Sequence, residues 1–198
     1  MKQKVLLASN NAHKIKEIRA ILGDFFDIVS LREAGVESDP EETGKTFEEN
    51  ARIKAVAGMK ASGMPCIADD SGLEVLALDC RPGVMSARYS GSHGDDAANN
   101  EKLLAELSDK PDRSARYVCV ICMAFPDGRE LEARGECYGE ILKETRGNGG
   151  FGYDPLFYFP QFGKTFAEIS AEEKNEVSHR NAALKAFEKL WEKEINDK

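Results

Sequence analysis

Ile67-Ala68-Asp69-Asp70-Ser71-Gly72-Leu73 places two adjacent carboxylates and a Ser-Gly pair at the end of an apolar run, and core packing does not explain that combination. Pro65 to Ala68 reads as a short buried strand. A parallel strand that ends in acids delivers them to the carboxyl edge of a sheet, where α/β folds keep their ligands. Neighbouring side chains on extended chain point to opposite faces, so Asp69 and Asp70 do not share one job. One is expected to face a metal ion or water, the other to accept hydrogen bonds and hold the turn. The residues alone also allow an Asp-Asp-Ser-Gly turn between two strands, so the rest of the chain has to decide.

A chain of 198 residues fits one domain or a two-lobed one and is long enough to bury a substantial core. After Met-Lys-Gln-Lys it offers only Val5-Leu6-Leu7-Ala8 before turning polar, too short for the apolar part of a signal peptide, and no apolar run approaches a membrane span. Five cysteines without framework spacing fit reduced thiols in a cytoplasmic protein. Cys119 and Cys122 form a Cys-x-x-Cys, but inside a strand-like run residues three apart face opposite sides, which favours buried thiols over a metal or redox pair. A net charge of -8 argues against a nucleic-acid polymer as partner. It leaves room for a small anion, provided that cations cluster locally, preferably with a divalent metal.

Strand, loop and helix open the chain: Lys4 to Ser9 is strand-like, and Ile15, Ile18, Ile21 and Leu22 recur at helical spacing up to Gly23. The loop Ser9-Asn10-Asn11-Ala12-His13-Lys14 presents backbone N-H groups at a helix N-terminus beside a hydroxyl and a lysine, which suits phosphate, although it lacks the Walker A spacing and equally describes a capped helix. Asp27 to Leu31 reads as a second strand, followed by the acidic segment from Glu37 to Gly44. Thr46 and Glu49 form a capping-box pattern for a helix that runs to Ser62, with Gly63 as its stop. Asn50 and Lys54 fall on its apolar stripe with Phe47, Ala51 and Gly58. A lysine there either meets an anion or snorkels from the edge.

Leu73 to Leu78 is expected as strand, with a turn at Arg81-Pro82-Gly83 and a helix from Asp95 to Leu107. Ala115 to Phe125 and Glu130 to Ile141 make a hairpin closed by Pro126-Asp127-Gly128. Gly147 to Pro155 sets four glycines around Phe151 and Tyr153, so backbone can approach a ligand closely while an aromatic stacks on a planar ring. Leu156 to Phe159 is strand-like again. Ser170 and Glu173 repeat the capping pattern, and Ser178-His179-Arg180 opens a final amphipathic helix carrying Ala183, Leu184, Phe187, Leu190 and Trp191. Lys174, His179 and Arg180 then surround one helix junction. The economical architecture is α/β, a mixed, twisted sheet with flanking helices.

Taken together, Ser9 to Lys14, Thr46-Phe47-x-x-Asn50-Ala51 with Lys54, Asp69 to Leu73, Gly149 to Pro155 and Ser178 to Arg180 resemble, in order and spacing along nearly the whole chain, the inosine triphosphate pyrophosphatase family. The resemblance implies a single two-lobed domain over residues 1–198 with two lobes about a central cleft, usually a homodimer. It also implies hydrolysis of ITP, dITP and XTP to monophosphate and pyrophosphate with the magnesium ion Mg2+. It gives phosphate-binding roles to Ser9, Asn10, Asn11, Ala12, His13, Lys14 and Lys54, places Ser71 beside the nucleotide, and makes Asp70 a metal ligand and proton acceptor. Phe151, Gly152, Tyr153, Asp154, Lys174, His179 and Arg180 would hold the nucleotide, with Arg180, always a donor, aimed at the oxygen on C6 of the base. Glu42, rather than its neighbour Glu41, is taken as the second metal ligand from its spacing to the Thr-Phe motif. Where the family usually has Thr-Gly-Asn, this chain has Ser9-Asn10-Asn11: serine keeps the hydroxyl, and Asn is the residue besides Gly that best tolerates positive φ.

Overall fold

The computed structural model describes residues 2–196, apart from the side chain of His13. In chain order the elements are β1 (Gln3–Leu7), α1 (Ala12–Leu22), β2 (Phe26–Ser30), α2 (Leu31–Ala34), α3 (Phe47–Ser62), β3 (Cys66–Val75) and β4 (Arg81–Pro82). There follow α4 (Asp96–Glu106), β5 (Ser114–Ala124), β6 (Glu130–Ile141), β7 (Phe157–Phe159), β8 (Lys164–Thr165), α5 (Ala171–Val177) and α6 (His179–Asn196). The chain divides into two compact units, the first made of 1–70, 119–135 and 180–198, the second of 71–118 and 136–179.

In the first unit the strand order is β2-β1-β3-β5-β6, with β1 parallel to both β2 and β3. Its core joins Val5 and Leu7 of β1, Ile18 and Leu22 of α1, Ile67 of β3, Ile121 and Met123 of β5, and Ala183, Leu184, Phe187 and Trp191 of α6. Each helix contributes residues three or four apart, the stripe that the sequence periodicity marked. Leu190 departs from it and stays exposed. Helix α3 packs so closely on the sheet that a Cβ on Gly58 would stand 2.6 Å from Cys66 Sγ, which explains a glycine inside a helix. Its N-cap is half a capping box: Thr46 accepts from Glu49 N-H, but the Glu49 carboxylate reaches back to Lys45 N-H instead of Thr46. Gly63 ends it in the left-handed conformation, as expected of a stop glycine.

In the second unit the order is β3-β5-β6-β7-β8, with β4 antiparallel on β3 and β7 antiparallel to β6 and β8. Leu73, Val75, Leu103, Leu107, Phe157 and Phe166 are central to its core. Ser170 and Glu173 complete a full capping box on α5.

The largest departure from the sequence reading lies in the opening stretch. The strand does not stop at Ala68 and resume at Leu73; β3 runs unbroken through both aspartates to Val75, and Leu76–Leu78 is a single 3-10 turn. The boundary between the units falls inside this strand, after Asp70. The alternative of an Asp-Asp-Ser-Gly turn is thereby excluded. A short helix, α2, with a complete Ser30/Glu33 capping box also escaped the periodicity, being only four residues long. All five cysteines are free thiols; Cys80 is half-buried, and the four at 66, 119, 122 and 137 are buried, where burial pushes their pKa up to about 12 and keeps them protonated. No helix among the described residues is long and apolar enough to cross a membrane.

Candidate active site

In the first unit, Leu7 pairs with Ile67 in the parallel register, so two residues further on Ser9 draws level with Asp69. The loop after β1 and the acids of β3 therefore share one end of the sheet. Within the loop, the Ser9 hydroxyl accepts from Asn11 N-H at 3.1 Å, Asn11 Oδ1 caps α1 by accepting from Lys14 N-H at 3.2 Å, and Asn10 Oδ1 accepts from Arg32 N-H at 3.1 Å. Positive φ among the described non-glycine residues is confined to Asp79 and Cys80, so the Asn10-Asn11 pair does not use the conformation that its composition would tolerate. Ala12 is exposed at the start of α1, and the His13 side chain lies outside the described part.

Side-chain alternation along β3 gives the two aspartates different partners. Asp69, 4% exposed, takes Lys14 Nζ at 2.8 Å and stands 3.5 Å from Arg180 Nε. Burial pushes its carboxyl up, but the charges of Lys14 and Arg180 more than offset this and hold it well below the usual carboxylate range. Asp70 takes Lys54 Nζ at 2.7 Å, and the same ammonium lies 3.1 Å from Glu42 Oε1. Here burial dominates and raises the carboxyl, Lys54 opposes it, and the negative charge of Glu42 pushes it further up. Burial works against the Lys54 ammonium as well, yet Asp70, Asp69 and Glu42 outweigh it and raise its pKa. The α3 lysine does not snorkel into solvent: its ammonium meets acids of its own chain.

Glu42 and Asp70 thus converge on one cationic centre, each with a carboxylate oxygen, while Glu41 is exposed. Two hard oxygen donors around a single positive charge fit magnesium, which takes one or two carboxylates and completes its shell with phosphate oxygens and water. The acidic loop is held in place by Asn50, fully buried, whose Oδ1 accepts from Gly44 N-H at 2.8 Å.

The second unit gathers the aromatic glycine loop, Lys174 and His179. Asp154, 1% exposed, accepts on Oδ2 from Lys174 Nζ at 2.5 Å and from Phe151 N-H at 3.0 Å, and on Oδ1 from Tyr117 OH at 3.2 Å. Phe151 is 60% exposed, and the Lys174 ammonium sits over its ring, 4.4 Å from the centroid. Gly152 is pinned on both sides, its N-H donating to Asp96 Oδ2 at 2.6 Å and its carbonyl accepting from Asn100 Nδ2 at 2.9 Å. Tyr153 is buried, and its hydroxyl donates to Ser86 O at 2.8 Å, so it is a core residue and not a stacking platform. Ser71 is the first residue of this unit and half-buried.

The residues expected around one helix junction are divided between the two units. Lys174 and His179 belong to the second unit, but the guanidinium of Arg180, 6% exposed, turns to the first, where it donates to Glu17 Oε2 at 2.8 Å and faces Asp69. On a helix, successive side chains point about 100° apart, so neighbours such as 179 and 180 need not serve one ligand. In this arrangement the Arg180 guanidinium is engaged by two acids of the first unit, Glu17 and Asp69. Sequence reasoning missed Glu17 and Tyr117. Glu17 was recoverable: it lies three residues after Lys14, one helical turn along the same face. For Tyr117 the only signal was a polar hydroxyl inside an otherwise apolar strand.

The profile of the Ham1 family matches residues 5–190. A dITP/XTP pyrophosphatase of Desulfotalea psychrophila is 56% identical over 181 residues, covering 91% of this chain and 81% of its own. One from Clostridium perfringens is 52% identical over 191 residues, covering 92% and 94%. Among solved structures, the Ham1 protein of Staphylococcus aureus superposes with a TM-score of 0.91 at 45% identity, over 97% of this chain and all 100% of that one. With a family profile spanning almost its entire length and relatives this similar across both chains, the chain belongs to the Ham1 family.

Proposed function

We propose that this chain hydrolyses noncanonical purine nucleoside triphosphates, XTP, ITP and dITP, to the nucleoside monophosphate and pyrophosphate, and so cleanses the nucleotide pool. The reading is supported by relatives named dITP/XTP pyrophosphatase at 45–56% identity. The observation that carries it is the single cationic centre shared by the carboxylates of Glu42 and Asp70. A sensor that only binds nucleotide needs the lysines but not a pair of acids of which one is buried with its carboxyl pushed upward.

In this reading Lys14, Lys54 and the loop from Ser9 to His13 take the triphosphate tail. Lys54 exchanges the acids it holds in this structure for phosphate oxygens, while Lys14, an ammonium with three donors, adds phosphate to its contact with Asp69. Glu42 and Asp70 would hold Mg2+, which supplies charge neutralisation and Lewis acidity at the phosphates. Asp70, its carboxyl raised by burial, accepts the proton of the attacking water. The water oxygen bonds to the α-phosphorus, the bond from that phosphorus to the oxygen bridging to the β-phosphorus breaks, and the electron pair leaves on pyrophosphate. Asp69 keeps its charge and orients Lys14 while Arg180 braces it. On the base side, Phe151 offers a face for stacking, and Asp154, Lys174 and His179 surround the ring. The protein acts on free nucleotide, outside any membrane, and works as a homodimer in the cytoplasm.

Incubation with ITP, XTP, dTTP and ATP and Mg2+, resolving pyrophosphate from orthophosphate, tests the proposal. Pyrophosphate released from ITP and XTP in preference to ATP and dTTP is the expected result. Preferential turnover of dTTP would place the chain with pyrophosphatases for other modified nucleotides, and binding without turnover would make it a sensor. Undiminished turnover in chelator would remove the metal from the scheme.

A further inference from the structure

Tyr117 lies on β5 with its ring buried, and packing alone would be served as well by phenylalanine. Its neighbours are apolar and aromatic: Phe157, with ring centroids 4.6 Å apart, and Phe166, parallel to it at 6.0 Å. The hydroxyl, however, reaches Asp154 Oδ1 at 3.2 Å, on the carboxylate whose other oxygen holds Lys174 and Phe151 N-H. The face of the same ring stacks on the imidazole of His179, with centroids 4.8 Å apart and planes 15° from parallel. One side chain therefore touches two residues from separate segments, the glycine loop and the start of α6. Burial, and then the charge of Asp154, raise the phenol well above its ordinary range, so it stays neutral and acts as donor to the carboxylate.

We propose that Tyr117 is a positioning residue for base selection, fixing through its hydroxyl where the Asp154 carboxylate stands and through its ring how the His179 imidazole is oriented. This rests on the reading above that Asp154, Lys174 and His179 face the base. A carboxylate held by three donors from three segments is fixed in direction, and a group fixed in direction can reject a base that presents the wrong hydrogen-bonding pattern. Without the hydroxyl, the carboxylate is held only by the long, flexible Lys174 and by the loop backbone that has to admit the base.

The test is Tyr117→Phe in the full chain, which keeps both ring stacks and removes one oxygen. The kcat and KM for ITP, XTP and ATP are measured together with the inhibition constant of inorganic tripolyphosphate, a probe that has the tail and no base. The expected result is a fall of about tenfold in kcat/KM for ITP and XTP, the size that one lost hydrogen bond to a charged group produces, carried mostly by KM. ATP should change less, so that the ITP to ATP ratio narrows, and inhibition by tripolyphosphate should hold. In an Asp154→Asn background the same change should have little further effect on that ratio. An unchanged ITP to ATP ratio overturns the assignment, and so does an equal loss for all nucleotides and tripolyphosphate, which would mark general disorder. Failure of Tyr117→Phe to fold counts against it too, since the hydroxyl would then be a folding requirement. If the unmodified chain turns over no purine triphosphate, the fault lies with the functional reading; if it does and the variant behaves like it, only the role of Tyr117 falls.

Discussion

Replacing Asp69 by Asn keeps the shape of the side chain and removes the charge that faces two cations. Stripping one partner from a buried ion pair costs about 3–5 kcal/mol, because the charge left behind has no compensation. Two features reduce that here: Arg180 retains Glu17 at 2.8 Å, and the Lys14 side chain, 25% exposed, can turn to water. The expected loss is then about 2–4 kcal/mol, which for a chain of this size lowers Tm by roughly 5–15 °C. The pH dependence has a definite sign. Asp69 is depressed in the folded state, so its contribution is fully present above the unfolded carboxyl value, roughly pH 4, and is lost as pH falls below it toward the folded value. Urea unfolding of both proteins from pH 7 to pH 3 should therefore show a constant gap above about pH 5 that begins to narrow below about pH 4. A double-mutant cycle with Arg180→Ala should give a coupling of roughly 1–3 kcal/mol. A gap below about 1 kcal/mol at pH 7, or one that persists unchanged to pH 3, would show that the pairing of Asp69 contributes no net stability.

Other consequences are open to simpler assays. Glu42→Gln should raise the Mg2+ concentration needed for half-maximal turnover by about tenfold or more, while Glu41→Gln, at an exposed position, should leave it unchanged; equal effects would undo the choice between them. Lys54→Ala should slow ITP, XTP and ATP by similar factors of roughly a hundred, leaving their ratios intact, because every substrate carries the same tail; a loss confined to one base would place the lysine elsewhere. Gly150 has φ +71°, and a Cβ there would stand 2.2 Å from Asp154 Oδ2, so Gly150→Ala should destabilise by roughly 1–3 kcal/mol and narrow the ITP to ATP ratio. Thermal unfolding and paired kinetics would check it, and a variant as stable and selective as the parent would refute it.

What the sequence made legible was whatever depends on neighbours a few residues apart. The stop at Gly63, the Ser170/Glu173 box and the β5–β6 hairpin follow from local rules of capping, periodicity and turn chemistry. The partners of the charged groups do not. Lys14 and Asp69 are 55 residues apart and Glu17 and Arg180 are 163, and no periodicity connects such pairs. For the same reason no local pattern in the sequence pointed to the acids that the Arg180 guanidinium meets.

The paired aspartates show how one long-range fact changes a local reading. A turn at Asp-Asp-Ser-Gly would give both carboxyls a similar, solvated surrounding. A continuous strand separates them by alternation, and each buried carboxyl then takes its charge state from whatever cations wait on its own face. Asp69 meets Lys14 and Arg180 and is pulled down, so it holds its charge and fixes those cations. Asp70 meets one lysine already shared with Glu42, and burial pushes it up. Two adjacent acids drawn in opposite directions suit opposite tasks, a permanent anion and, in the proposed reaction, a proton acceptor, and the division follows from the strand running straight through them.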